Sequence, residues 1–110
     1  MSNIFIMTMK PVGEIIREKR EEKGWLLRHL SAELDIDQAL LSKIERGERK
    51  ATKEQIQKFA NVLGLKKEDL MLQYLSENIA YEIAEEKNAL EVLHVAEDKV
   101  EYIRKQNKRK

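Results

Sequence analysis

The sequence predicts an all-α protein, and three properties of the chain favour that fold class. Apolar side chains recur every three or four residues along most of the 110 residues, which is the spacing of a helix face. One proline and four glycines leave few breaks between such stretches, and aromatic residues make up only 5% of the chain. Charged residues make up 37%, a balance that favours helices over a sandwich or barrel.

The composition also limits the kinds of site that the chain can hold. The length fits one domain with an appendage, and 42% apolar residues suffice for one modest core. There is no cysteine, and His29 and His94 lie far apart, so we expect no metal and no cofactor. Phosphate loops, HExxH helices and nucleophile elbows are absent from the sequence, which argues against an enzyme.

We expect a cytoplasmic protein with no membrane partner. No apolar run approaches the length of a membrane span, and the opening residues lack the pattern of a signal peptide. Residues 1–9 form a predicted flexible segment, although Ile4 to Ile6 are also compatible with a short strand paired to a second subunit.

The net charge of +1 is the sum over three zones of the chain that differ in charge. Residues 1–75 carry 14 basic and 12 acidic groups, residues 76–98 carry 1 and 7, and residues 99–110 carry 6 and 1. Because the first zone is almost neutral, any case for nucleic-acid binding depends on where its charges lie. The acidic second zone favours contacts with protein, and the last residues predict a frayed, solvated basic tail.

The first predicted helix spans residues 12–23. Val12, Ile15, Ile16 and Lys19 form its inward stripe, Pro11 occupies its N-terminal edge and Gly24 ends it. We interpret Trp25 as a packing residue rather than as a platform on which a base stacks.

Two short helices follow with a tight turn between them. The first of these covers residues 26–34, with Leu27, Leu30 and Leu34 inward, and Asp35-Ile36 make the turn. Asp37 is placed to cap the next helix, which Leu41 and Ile44 anchor and which a left-handed Gly47 ends.

The outer side of that third helix carries a mixture of residues that is typical of contact with DNA bases. An amide, small groups and cationic donors suit adenine, close approach and guanine respectively. The candidate base-reading residues are Gln38, Ala39, Leu40, Ser42 and Lys43, with Leu40 more readily explained as packing at the helix edge. The candidate phosphate-binding residues are Arg28, Arg46, Arg49, Lys50 and Lys53, for which a solvated loop is the alternative.

The remaining chain predicts three further helical stretches. Thr52 and Gln55 form a predicted capping box before a fourth helix, which Gly64 ends and after which Leu65 fills the core. A long fifth helix begins near Lys67 and has no breaker before Asn88, where a last helix opens. The candidate dimerisation residues on these two helices are Ile79, Ile83, Leu93, Ala96, Val100 and Ile103. A homodimer would cover them, and the alternative is that both helices fold back on their own domain.

Residues 12–75 resemble the five-helix DNA-binding domain of phage repressors and Cro, the Xre family. The motifs that carry the resemblance are Arg20, Gly24-Trp25, Leu30-Ser31, Ile36-Asp37, Leu41-Ser42, Ile44-Glu45 and Gly47. The resemblance implies a structural pair between Arg20 and Glu45 that sets the angle of the recognition helix. The chain departs from the family at Leu26-Leu27, where a hydroxyl residue and a glutamine are usual, and Arg28 is a candidate replacement for the lost phosphate contact.

The predicted architecture is therefore a five-helix repressor-like domain with a C-terminal two-helix extension. We expect residues 10–75 to form the DNA-binding domain and residues 76–110 the dimerisation extension with its basic tail. The predicted function is sequence-specific binding of double-stranded DNA by a homodimeric transcriptional regulator, with repression the favoured action. Two alternatives share this domain: an antitoxin whose C-terminal helices bind a toxin, and a restriction-modification control protein.

Overall fold

The computed structural model describes residues 9–108, and this part of the chain is helical with short turns. The helices are α1 (Val12–Glu22), α2 (Leu27–Leu34), α3 (Gln38–Glu45), α4 (Lys53–Leu63), α5 (Lys67–Ile83) and α6 (Ala89–Lys108). No strand occurs in residues 9–108, which confirms the predicted all-α class. The sequence predicts five helices in the domain and two in the extension, but residues 9–108 contain six helices. The helix predicted to open the extension is the C-terminal part of α5 and not a separate helix.

The chain divides into two compact units, of which the first ends at Glu77 and the second begins at Asn78. In the first unit, α1 packs on α3 and α4, and α2 packs on the same two helices. One apolar core joins them. Its buried members are Val12, Ile15, Ile16, Leu30, Leu34, Leu41, Ile44, Ala51, Ile56, Phe59, Ala60, Leu63 and Leu70.

Local signals in the sequence account for the ends of α4. The Thr52 hydroxyl accepts from the backbone N–H of Gln55 at 3.0 Å, and the Gln55 side-chain oxygen accepts from the Thr52 N–H at 2.9 Å. This is the capping box that the sequence predicts. Gly64 then takes a left-handed φ of 73°, which ends the helix. Trp25 and Leu65 are half-buried and pack against the core, as predicted.

The end of α5 differs from the prediction. The sequence predicts a helix as far as Lys87, but α5 ends at Ile83 and residues 84–88 form turns. Glu82, Glu85 and Glu86 explain the early end, because carboxylates three and four residues apart repel one another. They also lie at the C-terminal end of the helix, where the helix dipole disfavours negative charge.

The last helix also differs from its prediction, in the opposite sense. Residues 105–108 belong to α6, so the prediction of a frayed tail is wrong for them. Lysine and glutamine are good helix formers, and Lys105 and Lys108 lie where the helix dipole favours positive charge. The predicted flexible segment 1–9 lies, apart from Met9, outside the described residues.

The second unit leaves its apolar side chains in contact with solvent. No residue of α6 is buried, although the helix is 20 residues long. Five of the six candidate dimerisation residues, which are Ile79, Leu93, Ala96, Val100 and Ile103, are exposed, and Ile83 is half-buried. None of the helices described here combines the length and the apolar character needed to cross a membrane. Residues 9–108 also contain no cluster of three or more side chains of the kinds that bind metal ions.

Candidate nucleic-acid interface

The turn between α2 and α3 fixes where α3 begins. Asp35 adopts a left-handed conformation with a φ of 54°, which aspartate tolerates better than most side chains. The N–H of Ile36 donates to the Ser31 carbonyl at 3.0 Å and closes the end of α2. The Asp37 carboxylate then accepts from the Ala39 N–H at 3.1 Å and caps α3.

Helix α3 is held by its inner side. Leu41 is fully buried, Ile44 is 3% exposed, and both belong to the apolar core. Gln38, Ala39 and Lys43 are exposed on the outer side, and Ser42 is half-buried. The periodicity of the sequence places Leu40 at the surface, but it is half-buried and packs against the core. Its leucyl side chain is large enough to reach the core from the edge of the helix.

A buried ion pair joins α1 to the end of α3. The Arg20 guanidinium donates from Nε to one Glu45 oxygen at 2.8 Å and from Nη2 to the other at 3.0 Å. Its third nitrogen donates to the Trp25 carbonyl at 2.8 Å. Each residue of the pair is only 8% exposed. The carboxylate raises the pKa of Arg20 above its ordinary value, chiefly through these hydrogen bonds.

Gly13 provides a second contact between α1 and α3, which sequence reasoning missed. A Cβ atom at this position would collide with the carbonyl oxygens of Ile44 and Glu45. The backbones of the two helices therefore touch where α3 ends, and only glycine permits this approach. The signal in the sequence was a glycine in the first turn of a helix, where glycine is unfavourable unless packing requires it.

Glu77 fixes the start of α1. Pro11 has no side-chain oxygen, and no side chain of its own caps the helix. Instead a Glu77 oxygen accepts from the Val12 N–H at 2.8 Å, across 65 residues of sequence. No sequence pattern indicates this long-range cap.

Basic side chains lie on α2, at the end of α3 and on the residues that follow it. Arg28, Arg46, Arg49, Lys50 and Lys53 are all exposed. Arg46, Arg49 and Lys50 follow α3 directly, and Lys53 is the first residue of α4. The backbone between these two helices folds back, with Gly47 left-handed at a φ of 77° and the Glu48 N–H donating to the Lys43 carbonyl at 2.8 Å. At its far end the loop is fixed by buried Ala51, whose carbonyl accepts from the Tyr74 hydroxyl.

Arg28 lies in the first turn of α2, and the N-terminus of this helix lacks the usual side-chain cap. Leu26 occupies the cap position and has no side-chain oxygen, so it offers no side-chain hydrogen bond. The Leu26 N–H instead donates to Nδ1 of His29 at 3.1 Å. One half of a capping box is thus made by an imidazole, a substitution that sequence reasoning missed.

Arg46 differs from the other basic residues because its guanidinium already has partners. Its Nε and Nη2 donate to the two oxygens of Glu48 at 2.9 Å and 3.2 Å, and Nη1 donates to the Ser42 hydroxyl. Both side chains of the ion pair are 55% exposed. The pair raises the pKa of Arg46 and lowers the pKa of Glu48, in each case mainly through their hydrogen bonds.

Comparison with known proteins agrees with this geometry. The family model of helix-turn-helix domains (HTH_3) matches residues 16–70, half of the chain. Three proteins, one from Mycobacterium bovis and two from strains of Mycobacterium tuberculosis, are 41% identical to the chain over 59 residues. Each is named an uncharacterized HTH-type transcriptional regulator.

The aligned stretch covers 54% of this chain and 23% of each relative, so the chain corresponds to about a quarter of their length. No solved structure matches the chain significantly. The matched residues contain α2, the turn and α3, together with Arg20 and Glu45. The chain belongs to the helix-turn-helix family of the Xre type.

Proposed function

We propose that this chain binds double-stranded DNA by placing α3 in the major groove, and that it regulates transcription in this way. The observation that carries the proposal is that α3 is anchored by its inner side and leaves its outer side exposed. Core side chains and the Arg20–Glu45 pair occupy its inner side, and polar side chains remain exposed on the outer side. A helix presented like this fits the width of the major groove.

Gln38 is the proposed principal base reader, because it is exposed in the first turn of α3. The N-terminal residues of a recognition helix contact base edges first, and a glutamine amide pairs with adenine through two hydrogen bonds. One turn farther along, exposed Lys43 is suited to guanine or to a phosphate. Ala39 and Ser42 permit close approach, and half-buried Leu40 is restricted to a contact with a thymine methyl at the helix edge.

The exposed cations beside α3 are proposed to bind phosphates on both sides of the groove. Arg28 lies on α2, and Arg49, Lys50 and Lys53 lie on or next to the loop that follows α3. If two subunits make about six to eight such contacts, the affinity falls steeply with salt, by about 0.9 in the logarithmic slope for each phosphate.

The second unit is proposed to hold two copies of the chain together. A helix of this length with no buried residue exposes more apolar surface than an isolated unit tolerates, and a second copy is the simplest cover. Two-fold symmetry then requires an inverted repeat in the DNA, with half-sites about 34 Å apart. A dimer seated on a promoter excludes other proteins from it, so repression is the action we propose.

The exposed face of α6 is also compatible with a different protein partner, which is the alternative to a second copy. An antitoxin would cover it with a toxin, and a restriction-modification control protein would use it to dimerise. Purification of the chain from its own host separates the antitoxin from the two dimeric regulators, since a co-purifying toxin points to the antitoxin. A homodimer alone agrees with our proposal.

Selection of bound sequences from a random pool of duplexes tests the DNA-binding proposal. We expect one preferred inverted repeat for the parent chain and a changed preference at one position of each half-site for Gln38→Ala. Gln57→Ala is the matched control, because Gln57 is an exposed glutamine on α4. No enrichment by the parent chain, or an equal effect of the two substitutions, contradicts the proposal.

Sedimentation equilibrium tests the dimer. Ile103→Lys places a charge on the apolar side of α6 and is expected to give monomers. Glu101→Lys also places a lysine on α6, but about half a turn round the helix from Ile103, and is expected to leave the dimer intact. A monomeric parent chain, or dissociation by both substitutions, contradicts the proposed interface.

A further inference from the structure

The Arg46–Glu48 pair lies within the surface that is proposed to contact DNA. Arg46 directly follows α3, and Glu48 lies on the loop after it, where Arg49 and Lys50 are also exposed. The guanidinium is fully occupied on one edge, because Nε and Nη2 both donate to the Glu48 carboxylate. The Ser42 hydroxyl accepts from its remaining nitrogen.

We propose that Glu48 competes with a DNA phosphate for Arg46 and so limits the affinity of this surface for any duplex. The inference rests on the proposed function. A phosphate binds arginine through the same paired N–H groups that a carboxylate uses. An arginine that a carboxylate already neutralises also displaces few of the counterions bound to the DNA when it meets a phosphate. The carboxylate itself repels the DNA backbone.

The exchange is possible because the pair is exposed. Both side chains are 55% exposed, and an ion pair in contact with water contributes little stability. The buried Arg20–Glu45 pair has the same two-point geometry but cannot be exchanged in this way, because each residue is only 8% exposed. Glu48 therefore acts on affinity, and it acts through Arg46.

Glu48→Gln in the full chain tests the inference, with affinity measured by fluorescence anisotropy at several salt concentrations. Two duplexes serve as probes: the site enriched by the parent chain, and an unrelated sequence of equal length. We expect affinity to rise roughly three- to tenfold for both, and the salt slope to steepen by about 0.9 per subunit. The selected sequence preference stays the same, since phosphate contacts carry no sequence information.

Two further variants isolate the mechanism. Arg46→Gln combined with Glu48→Gln is expected to remove the gain, because the arginine that benefits is gone. Glu22→Gln changes the net charge equally and releases Lys19 from an ion pair on α1, at 3.0 Å, so it controls for charge alone. We expect it to raise affinity by less than twofold.

The outcomes separate the two proposals. If the parent chain binds no duplex, the proposed function fails and this inference fails with it. If the parent chain binds but Glu48→Gln leaves affinity unchanged or lowers it, only this inference is overturned. A gain confined to the selected site, or one that persists without Arg46, overturns it as well, because Glu48 would then act on bases or on overall charge.

Discussion

Replacing Glu45 with alanine should destabilise the chain far more than the same replacement of Glu48. The two glutamates make almost identical pairs, each holding the Nε and Nη2 of one arginine at 2.8 to 3.2 Å. They differ in burial, since the side chains of the Arg20–Glu45 pair are 10% and 4% exposed and those of the other pair are 55% exposed. Glu48→Ala is therefore a closely matched control.

The magnitude follows from what Glu45→Ala leaves behind. Arg20 keeps the Trp25 carbonyl and a distant Glu21 oxygen at 4.0 Å, but its charge is then buried without a close carboxylate. Breaking a buried pair in this way costs about 3 to 5 kcal/mol. Each kcal/mol shifts the melting temperature of a domain this small by about 4 to 8 °C, so we expect a fall of at least about 12 °C.

Thermal denaturation followed by far-UV circular dichroism measures both variants. We expect Glu48→Ala to melt close to the parent chain. Arg20→Met combined with Glu45→Leu should recover much of the stability lost in Glu45→Ala, since an apolar pair of similar volume needs no compensating charge. Equal melting temperatures for the two single variants would refute the argument from burial.

Three further predictions concern the frame around α3. Gly13→Ala should separate α1 from the end of α3, and we expect lower stability and weaker DNA binding, measured by melting and by anisotropy, with Gln57→Ala at an exposed position of α4 as the control. Thr52→Ala removes one bond of the capping box and should cost about 1 kcal/mol in urea denaturation, a result that an unchanged midpoint would contradict. Glu77→Ala leaves the Val12 N–H without its cap, so we expect a similar loss; a variant as stable as the parent would show that this contact contributes nothing.

The sequence was sufficient to locate most helices, because the signals involved are local. The apolar spacing of Leu41 and Ile44, the Asp37 cap and the Thr52–Gln55 box each lie within a few residues of the structure that they specify. Periodicity was less informative for Leu40, whose position at the helix edge allows either exposure or packing. The end of α5 was misplaced because repulsion among neighbouring glutamates outweighed good helix formers.

Other features of the site depend on contacts between residues far apart in sequence. The Arg20–Glu45 pair was expected only through the family resemblance, and the spacing of the residues did not reveal it. The role of Gly13 depends on how closely two helices approach, and the Glu77 cap spans 65 residues. Glu48 was overlooked because a charged residue on a loop has no pattern until its arginine partner is placed beside it.

The bond from Glu77 to the start of α1 has a practical consequence for anyone who shortens this protein. The sequence suggests cutting after residue 75, yet a fragment ending there would lose the oxygen that satisfies the Val12 N–H. Extending the fragment by two residues retains it. Because Gly13 and Arg20 of α1 contact the end of α3, a truncation after residue 75 would also loosen the support of α3, the helix that is proposed to read DNA.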